Sequence, residues 1–318
     1  MSKILVTGAG GFVGSHLTEY LVRQGYKVKA FIRYNSCNFR EWLDKSKYIN
    51  DIEIYSGDIR DYDSVYNSIK GIDYVFHLAA LIVIPHSYYS PLDYIKTNIE
   101  GTYNILQAAK ELNIKRIIHI STSAVYGTAQ YIPIDEKHPI NPQSPYAASK
   151  AGADHLTKSF YLSFNLPVTI VRPFNMFGPR QSAQAVIPTI ITQILDGKGY
   201  IKLGNLNSSR DFNYILDAVE GISRIGLHPN TIGKVINIGT GKDLSIRKLT
   251  EIVNKLTGKN SEIKLDNKRA RSPKSEVWRS VCDYSNARNL TGWKPRYTFE
   301  KGLEETINWF NLARDPHL

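Results

Sequence analysis

Apolar runs alternate with amphipathic stretches through the first 170 residues. The runs Lys3–Thr7, Lys27–Arg33, Ile52–Ser56, Tyr74–His77, Arg116–Ser121 and Val168–Arg172 read as strands. Several are continuous rather than alternating, the pattern of strands buried on both faces of a parallel sheet. Helical spacing fills the intervals, as at Val13–Gln24, Asp93–Leu112 and Tyr146–Phe164. Strand–helix–strand alternation predicts an α/β fold built on a doubly wound parallel sheet. After Pro173 the segments shorten and Gly, Asn and Ser become frequent, as in Leu203–Ser209. Helices return at Tyr214–Gly226, Ile246–Leu256 and Phe299–Leu312. The expected organisation is a sheet-bearing domain over 1–173 and a smaller lobe over 174–318, with a segment near 212–240 returning to the sheet.

Composition narrows the class. At 318 residues and 36.0 kDa the chain fits one large domain or two coupled ones and can bury a sizeable core. Hydrophobic residues at 42% and charged residues at 22% exclude a disordered or collagen-like chain. No apolar run reaches the ~18 residues of a membrane span. Met1–His16 passes straight into glycines and does not read as a secretory leader. A cytoplasmic protein without membrane contact is expected. Two cysteines, Cys37 and Cys282, make no disulfide framework, and the absence of Cys/His ligand spacing gives no reason to expect a metal. The net charge is 40 − 29 = +11, with twelve Lys/Arg against five Asp/Glu over 255–301. Such a surface attracts anions. No nucleic-acid motif accompanies it, so a small phosphorylated substrate is the expected partner beside the plain reading of a solvated basic face.

The first strand runs into Gly8-Ala9-Gly10-Gly11-Phe12-Val13-Gly14 and a helix. In GxxGxxG at a strand–helix junction the first glycine permits the turn. The second lets backbone approach a pyrophosphate, and the third lets helix and strand pack closely. The helix N-terminus then faces the phosphate with free N–H groups. This predicts a dinucleotide site. The second strand ends Arg33-Tyr34-Asn35-Ser36 without the acid that binds ribose hydroxyls in NAD sites. Arg33, helped by Asn35 and Ser36, is placed to pair with a 2′-phosphate, which favours NADP over NAD; stacking on the adenine is the alternative. Asp58-Ile59 follows the third strand and is a candidate for the adenine edge.

Tyr146 and Lys150 lie four apart at the start of a helix and share a face. A tyrosine near its usual pKa of about 10 is a poor base at pH 7. A neighbouring ammonium and a nicotinamide cation stabilise the phenolate. Ser121-Thr122-Ser123 adds hydroxyls at the carboxyl edge of the sheet, where ligands bind in such folds. The set suits hydride transfer between a carbinol and a nicotinamide.

With these motifs the chain resembles the extended short-chain dehydrogenase/reductases that modify nucleotide sugars. The resemblance rests on Thr7-Gly8-x-x-Gly11-x-x-Gly14, Asp58, His77-Leu78-Ala79-Ala80, Asn98, Ser121–Gly127, Tyr146-x-x-x-Lys150 and Arg172-Pro173-Phe174-Asn175. Within that family it is most similar to the UDP-N-acetylglucosamine 4,6-dehydratases of legionaminic- and pseudaminic-type nonulosonic acid pathways. Ile84–Tyr88, Gly127–Glu136, Gly178–Ser182, Val186–Ile191 and Lys274–Val277 suggest this. The resemblance implies a Rossmann-type fold with a C-terminal substrate-binding lobe and a tightly bound, recycled dinucleotide. It implies cofactor contacts from Gly8, Gly11, Phe12, Val13, Gly14, Arg33, Asn35, Ser36, Asp58, Ile59, Leu78, Ala79, Ala80, Asn98, Tyr146, Lys150 and Pro173, with Asn98 also structural near the site. Tyr146 is implied as the base for the sugar C4 hydroxyl, Lys150 as the group that lowers its pKa, and Thr122 as a hydrogen-bond partner of the C4 oxygen. Ser123, Ala124, His86, Asn175, Val186, Arg210 and Arg271 are implied on the substrate side, with Asn175, Arg210 and Arg271 toward the diphosphate. A homodimer through a four-helix interface, formed by Asp93–Leu112 and Tyr146–Phe164, is also implied.

One position departs from that pattern. The related 4,6-dehydratases carry a glutamate that deprotonates C5 where this chain has Ala124. Loss of a positioned base typically forfeits ~10²–10⁴ in rate. Three readings stay open. The first is dehydratase-type chemistry or a partial reaction, in which C4 is oxidised and hydride goes to C6 of a 5,6-ene sugar, with His86 as a candidate proton carrier. The second is 4-epimerisation, which needs no C5 base. The third is a non-catalytic NADP-binding scaffold.

Overall fold

The computed structural model describes residues 2–37, 39–266, 272 and 274–313. Seven parallel strands form one sheet: β1 (Lys3–Thr7), β2 (Lys27–Arg33), β3 (Ile52–Gly57), β4 (Tyr74–His77), β5 (Arg116–Ile120), β6 (Val168–Pro173) and β7 (Val235–Ile238). Their order is β7-β6-β5-β4-β1-β2-β3. The strand order reverses between β1 and β4, and this opens a crevice at the carboxyl ends of those strands. The fold is a Rossmann-type α/β fold. The predicted strands stand within a residue of their expected bounds, because continuous apolar runs have no alternative to a doubly covered sheet.

Helices cover both faces. On one, α1 (Phe12–Arg23) buries Leu17 and Leu21 beneath β1 and β2. On the other, α2 (Tyr62–Ile69) packs with Gly101–Glu111 around Val65, Ile69, Ile105 and Leu106. After β4 come α3 (Ile84–Tyr89) and α4 (Pro91–Tyr94), then a π-helical stretch Ile95–Glu100 and α5 (Gly101–Glu111). One unbroken helix was expected over Asp93–Leu112; the wider π turn interrupts it. There the Thr102 hydroxyl donates to the Asn98 carbonyl at 2.6 Å. The long helix α6 (Pro145–Phe164) is capped by the Ser144 hydroxyl, which accepts from the Ala147 amide at 3.1 Å.

Beyond β6 the chain builds further helices and short strands. These include α7 (Val186–Leu195), α8 (Ile215–Leu227), α9 (Ile246–Thr257), α10 (Ser285–Thr291) and α11 (Phe299–Leu312). Small sheets join Asn175–Phe177 to Phe212–Tyr214, Tyr200–Leu203 to Glu262–Leu265, and Ser209–Arg210 to both Leu244–Ser245 and Arg279–Ser280. From within this region α8 packs on α1, and β7 closes the main sheet beside β6.

Trp293 ties the late elements to α8. It is 1% exposed, its ring fills the space over Gly221, and its indole N–H donates to the Asp217 carbonyl at 3.1 Å. Trp293→Ala is expected to cost about 3–5 kcal/mol in urea unfolding. A loss below about 1 kcal/mol, as at an ordinary surface site, would contradict this anchoring.

Candidate active site

The glycine loop is shaped by what its glycines exclude. Gly8 has a left-handed φ of +68° and lies against the backbone of Ala79. A Cβ at Gly14 would stand 2.0 Å from the Gly8 carbonyl oxygen, so only glycine lets α1 start this close to β1. At Gly11, by contrast, a Cβ would meet only the Gly8 oxygen at 3.4 Å. Gly11 is the N-cap of α1, and no side chain caps the helix there. The amides of the first turn, from Phe12 and Val13 on, are thus left for an outside acceptor. The loop therefore fits a pyrophosphate, and with it a nicotinamide dinucleotide.

The adenosine end is more mixed. Arg33 ends β2 opposite Gly57, exposed. Asn35 uses both ends of its amide on Phe39, donating to its carbonyl at 2.7 Å and accepting its N–H at 2.9 Å, while Ser36 is exposed. Asn35 thus braces its own loop. Asp58 is held by the Arg60 guanidinium, Nη2 to Oδ2 at 2.5 Å, which keeps its carboxyl below the usual range. Ile59 buries its side chain against Gly101, and its carbonyl accepts from Asn104 at 2.9 Å.

The loop after β4 is pinned from both sides. Thr7 Oγ1 accepts the amides of Leu78 and Ala79 at 3.1 Å, and Asn98, 1% exposed, accepts from the Leu81 amide at 2.8 Å. The Asn98 amide donates in turn to the Leu81 carbonyl and the Ser149 hydroxyl. Asn98 thus ties Leu81, just after the Leu78-Ala79-Ala80 segment, to α6, and its side chain is engaged by protein.

Tyr146, Lys150 and Asp154 follow one another at four-residue steps on the inner face of α6, all buried. Lys150 Nζ donates to the Ile120 carbonyl at the end of β5 at 2.7 Å. Asp154 accepts from Arg172 Nε at 2.9 Å and lies 3.2 Å from His119 Nε2. Arg172 also donates to the Tyr126 hydroxyl at 3.0 Å, which donates to Asn237 at 2.8 Å. Burial lowers Lys150 to about 8, with Asp154 opposing. Burial raises Tyr146 to about 12, with the Thr122 hydroxyl opposing and Tyr94 and Asp154 adding to the rise. Lys150 is not among the groups that set the Tyr146 shift. Its ammonium is turned to a backbone carbonyl, and desolvation of the phenol dominates.

On the sugar side, Thr122 caps the short turn Ser123–Tyr126, its hydroxyl accepting from the Ala124 amide at 3.2 Å. That turn holds no carboxylate. His86 is exposed on α3, its ring centroid 6.2 Å from Tyr94, which is 6.3 Å from Tyr146. Pro173 closes β6, Asn175 donates weakly to the Asp211 carbonyl at 3.4 Å, and Val186 opens α7. Arg210 donates to the buried Glu276 carboxylate at 2.8 Å and to the Ser209 carbonyl at 2.9 Å. Arg210, expected toward a diphosphate, is thus already paired with Glu276, which was not foreseen. Arg271 lies outside the described residues.

Comparison with known proteins agrees with this geometry. The family model described as GDP-mannose 4,6 dehydratase matches residues 5–306. The chain belongs to this family. It is 33% identical over 96% of its length to a putative UDP-glucose 4-epimerase of Methanocaldococcus jannaschii, covering 97% of that protein. A UDP-N-acetylglucosamine 4-epimerase from Methanobrevibacter ruminantium M1, solved with UDP-N-acetylmuramic acid, superposes with a TM-score of 0.88 at 34% identity, covering 98% of this chain and 99% of that one. DesIV, a dTDP-glucose 4,6-dehydratase from Streptomyces venezuelae solved with NAD, gives 0.90 at 30%, with 98% of each chain covered. The chain is thus a nucleotide-sugar enzyme of the short-chain dehydrogenase/reductase type, and the scaffold reading falls.

Within this family frame, three engaged residues had escaped attention. Asp154 continues the Tyr146–Lys150 stripe by one step, and a charge on a buried helical face was the readable signal. Tyr94, whose hydroxyl donates to the Val83 carbonyl at 2.6 Å, and Glu276 become visible only in space.

Two measurements probe the site. Gly14→Ala is expected to weaken dinucleotide binding at least about tenfold by calorimetry, since the added methyl forces the loop apart; unchanged affinity would contradict the close packing. Burial also holds His119 neutral, lowering it from 6.5 to about 4. Unfolding below pH 6.5 then takes up a proton, so the His119 contribution is complete above 6.5 and is lost as the pH falls toward about 4. The urea midpoint is expected to fall less steeply over that window in His119→Gln than in the parent; equal slopes would refute it.

Proposed function

We propose that this enzyme oxidises C4 of a nucleotide sugar, UDP-N-acetylglucosamine or a derivative of it, and returns the C4 epimer. The nicotinamide dinucleotide bound at the glycine loop supplies the hydride acceptor and donor. Tyr146 accepts the proton of the C4 hydroxyl, and Thr122 holds the oxygen. Lys150, charged at pH 7 despite its lowered pKa, supplies the nearby cation the phenolate needs. Arg210 and Asn175 face the diphosphate, with Glu276 preventing Arg210 from becoming an unpaired buried charge.

The observation that carries this reading is Ala124. Epimerisation begins and ends at C4 and needs no base at C5, and the turn that would hold such a base has none. A second reading, the partial dehydratase reaction on a 5,6-ene sugar, is supported by His86, an exposed proton carrier next to Tyr94. Arg33 supports NADP as the cofactor. The exposed Tyr103, Leu162 and Phe164 on α5 and α6 support a homodimer joined by those helices.

The test is incubation with UDP-N-acetylglucosamine in D₂O, followed by proton NMR and mass spectrometry. A C4 epimer without mass change or deuterium is expected. Loss of water, or deuterium at C5 or C6, would overturn epimerisation in favour of dehydration. Tyr146→Phe is expected to lower turnover by about 10²–10⁴ while dinucleotide affinity holds. Normal turnover in that variant would remove Tyr146 from the reaction.

A further inference from the structure

His77 ends β4 between Thr7 of β1 and His119 of β5 and is 2% exposed. Both of its ring nitrogens are engaged. Nδ1 lies 2.8 Å from the Thr7 hydroxyl, and Nε2 lies 3.0 Å from the Thr102 hydroxyl of α5. A neutral imidazole has two tautomers, and its partners decide between them.

Thr102 makes the decision. Its hydroxyl gives its only proton to the Asn98 carbonyl at 2.6 Å. Toward the imidazole it is left to accept, which puts the ring proton on Nε2. Nδ1 is then an acceptor, and the Thr7 hydroxyl donates to it. The same Thr7 oxygen accepts the Leu78 and Ala79 amides, each at 3.1 Å. Its two lone pairs and its one proton are all used, so a proton on Nδ1 would meet no acceptor there. Burial, and then His119 and Lys150, push the ring well below the usual histidine range.

This ring lies between the two halves of the site. On one side, the backbone of Ala79 packs against Gly8 of the glycine loop. On the other, Asn98 sits in the π turn, and its side chain reaches Leu81 and the Ser149 hydroxyl. Ser149 donates in turn to the Tyr146 carbonyl at 2.8 Å. A directed series of hydrogen bonds thus runs from the loop after β4, through His77 and Asn98, to the first turn of α6.

We propose that His77, held as its neutral Nε2–H tautomer, is a positioning residue for the reaction, setting the Leu78-Ala79 loop and the Asn98 turn in one geometry. The glycine loop and Tyr146 are thereby placed relative to each other. The proposal rests on the reading of Tyr146 as the C4 base. It matters because a misplacement of about 1 Å between reacting groups can cost ~10² in rate.

Two readouts test this. The first is ¹⁵N NMR of the His77 ring in the whole enzyme, assigned by comparison with His77→Gln. A proton on Nε2 and none on Nδ1 is expected, unchanged across neutral and alkaline pH. A proton on Nδ1, or a mixture of tautomers, would overturn the assignment. The second compares Thr102→Val with Thr102→Ser on UDP-N-acetylglucosamine, with urea midpoints in parallel. Valine keeps the branch and removes the hydroxyl, and serine returns it. Thr102→Val is expected to lower kcat at least about tenfold with KM within about twofold, and Thr102→Ser to stay within about threefold of the parent. A lower urea midpoint with kcat unchanged in Thr102→Val, or a loss of kcat that serine does not restore, would overturn the positioning role. If the parent leaves this sugar unchanged, the reading of the reaction fails instead, and positioning is judged on the Tyr146 ¹³Cζ resonance. That resonance must then move in Thr102→Val and return in Thr102→Ser; a resonance that stays in place would overturn the proposal.

Discussion

A buried ammonium cannot stand alone, and the active site is arranged around that constraint. Lys150 is 3% exposed, and its two nearest supports come from different elements: the Ile120 carbonyl at the end of β5 and the field of Asp154 one turn along α6. Asp154 in turn needs Arg172 from β6 and lies beside His119 from β5. Each charge is tolerable only because the next is in place. The register of α6 over β5 and β6 is thereby tied to the chemistry, since a slip of one residue on the helix would leave several buried charges unpaired. Tyr146 is carried into position by the same register, one turn before Lys150.

The same burial acts on the proposed base. Burial pushes the Tyr146 phenol up to about 12. The missing stabilisation is positive charge, which a nicotinium ring supplies when bound. On the proposed reaction, proton abstraction by Tyr146 would draw on that charge. The substrate end follows a similar economy. On the proposed substrate side, Arg210 is paired with Glu276.

Much of this was legible in the chain. Continuous apolar runs located six of the seven sheet strands, because a strand buried on both faces has few other ways to read. The glycine loop and the Tyr146–Lys150 pair were found because their spacing is local. What escaped depended on distance in sequence. β7 joins the sheet from Val235–Ile238, far from β6, and only a general return near 212–240 was expected. The π turn at Ile95–Glu100 leaves no mark in the hydrophobic period. Glu276 meets Arg210 across loops whose paths the sequence does not specify. The same limit explains Asn35, which reads as a ligand in sequence and serves as a loop brace in space.

The most direct test of the electrostatic account is a titration of Tyr146 itself. Enzyme carrying ¹³Cζ-labelled tyrosine, with Tyr146 assigned by comparison with Tyr146→Phe, would be followed by NMR across alkaline pH, first stripped and then saturated with oxidised dinucleotide. The expected result is a phenol that titrates well above 10 in the stripped enzyme, toward about 12, and moves down when the dinucleotide binds. A Tyr146 that already titrates below 10 without it, or that does not respond to it, would contradict the claim that burial holds the base off and bound positive charge turns it on.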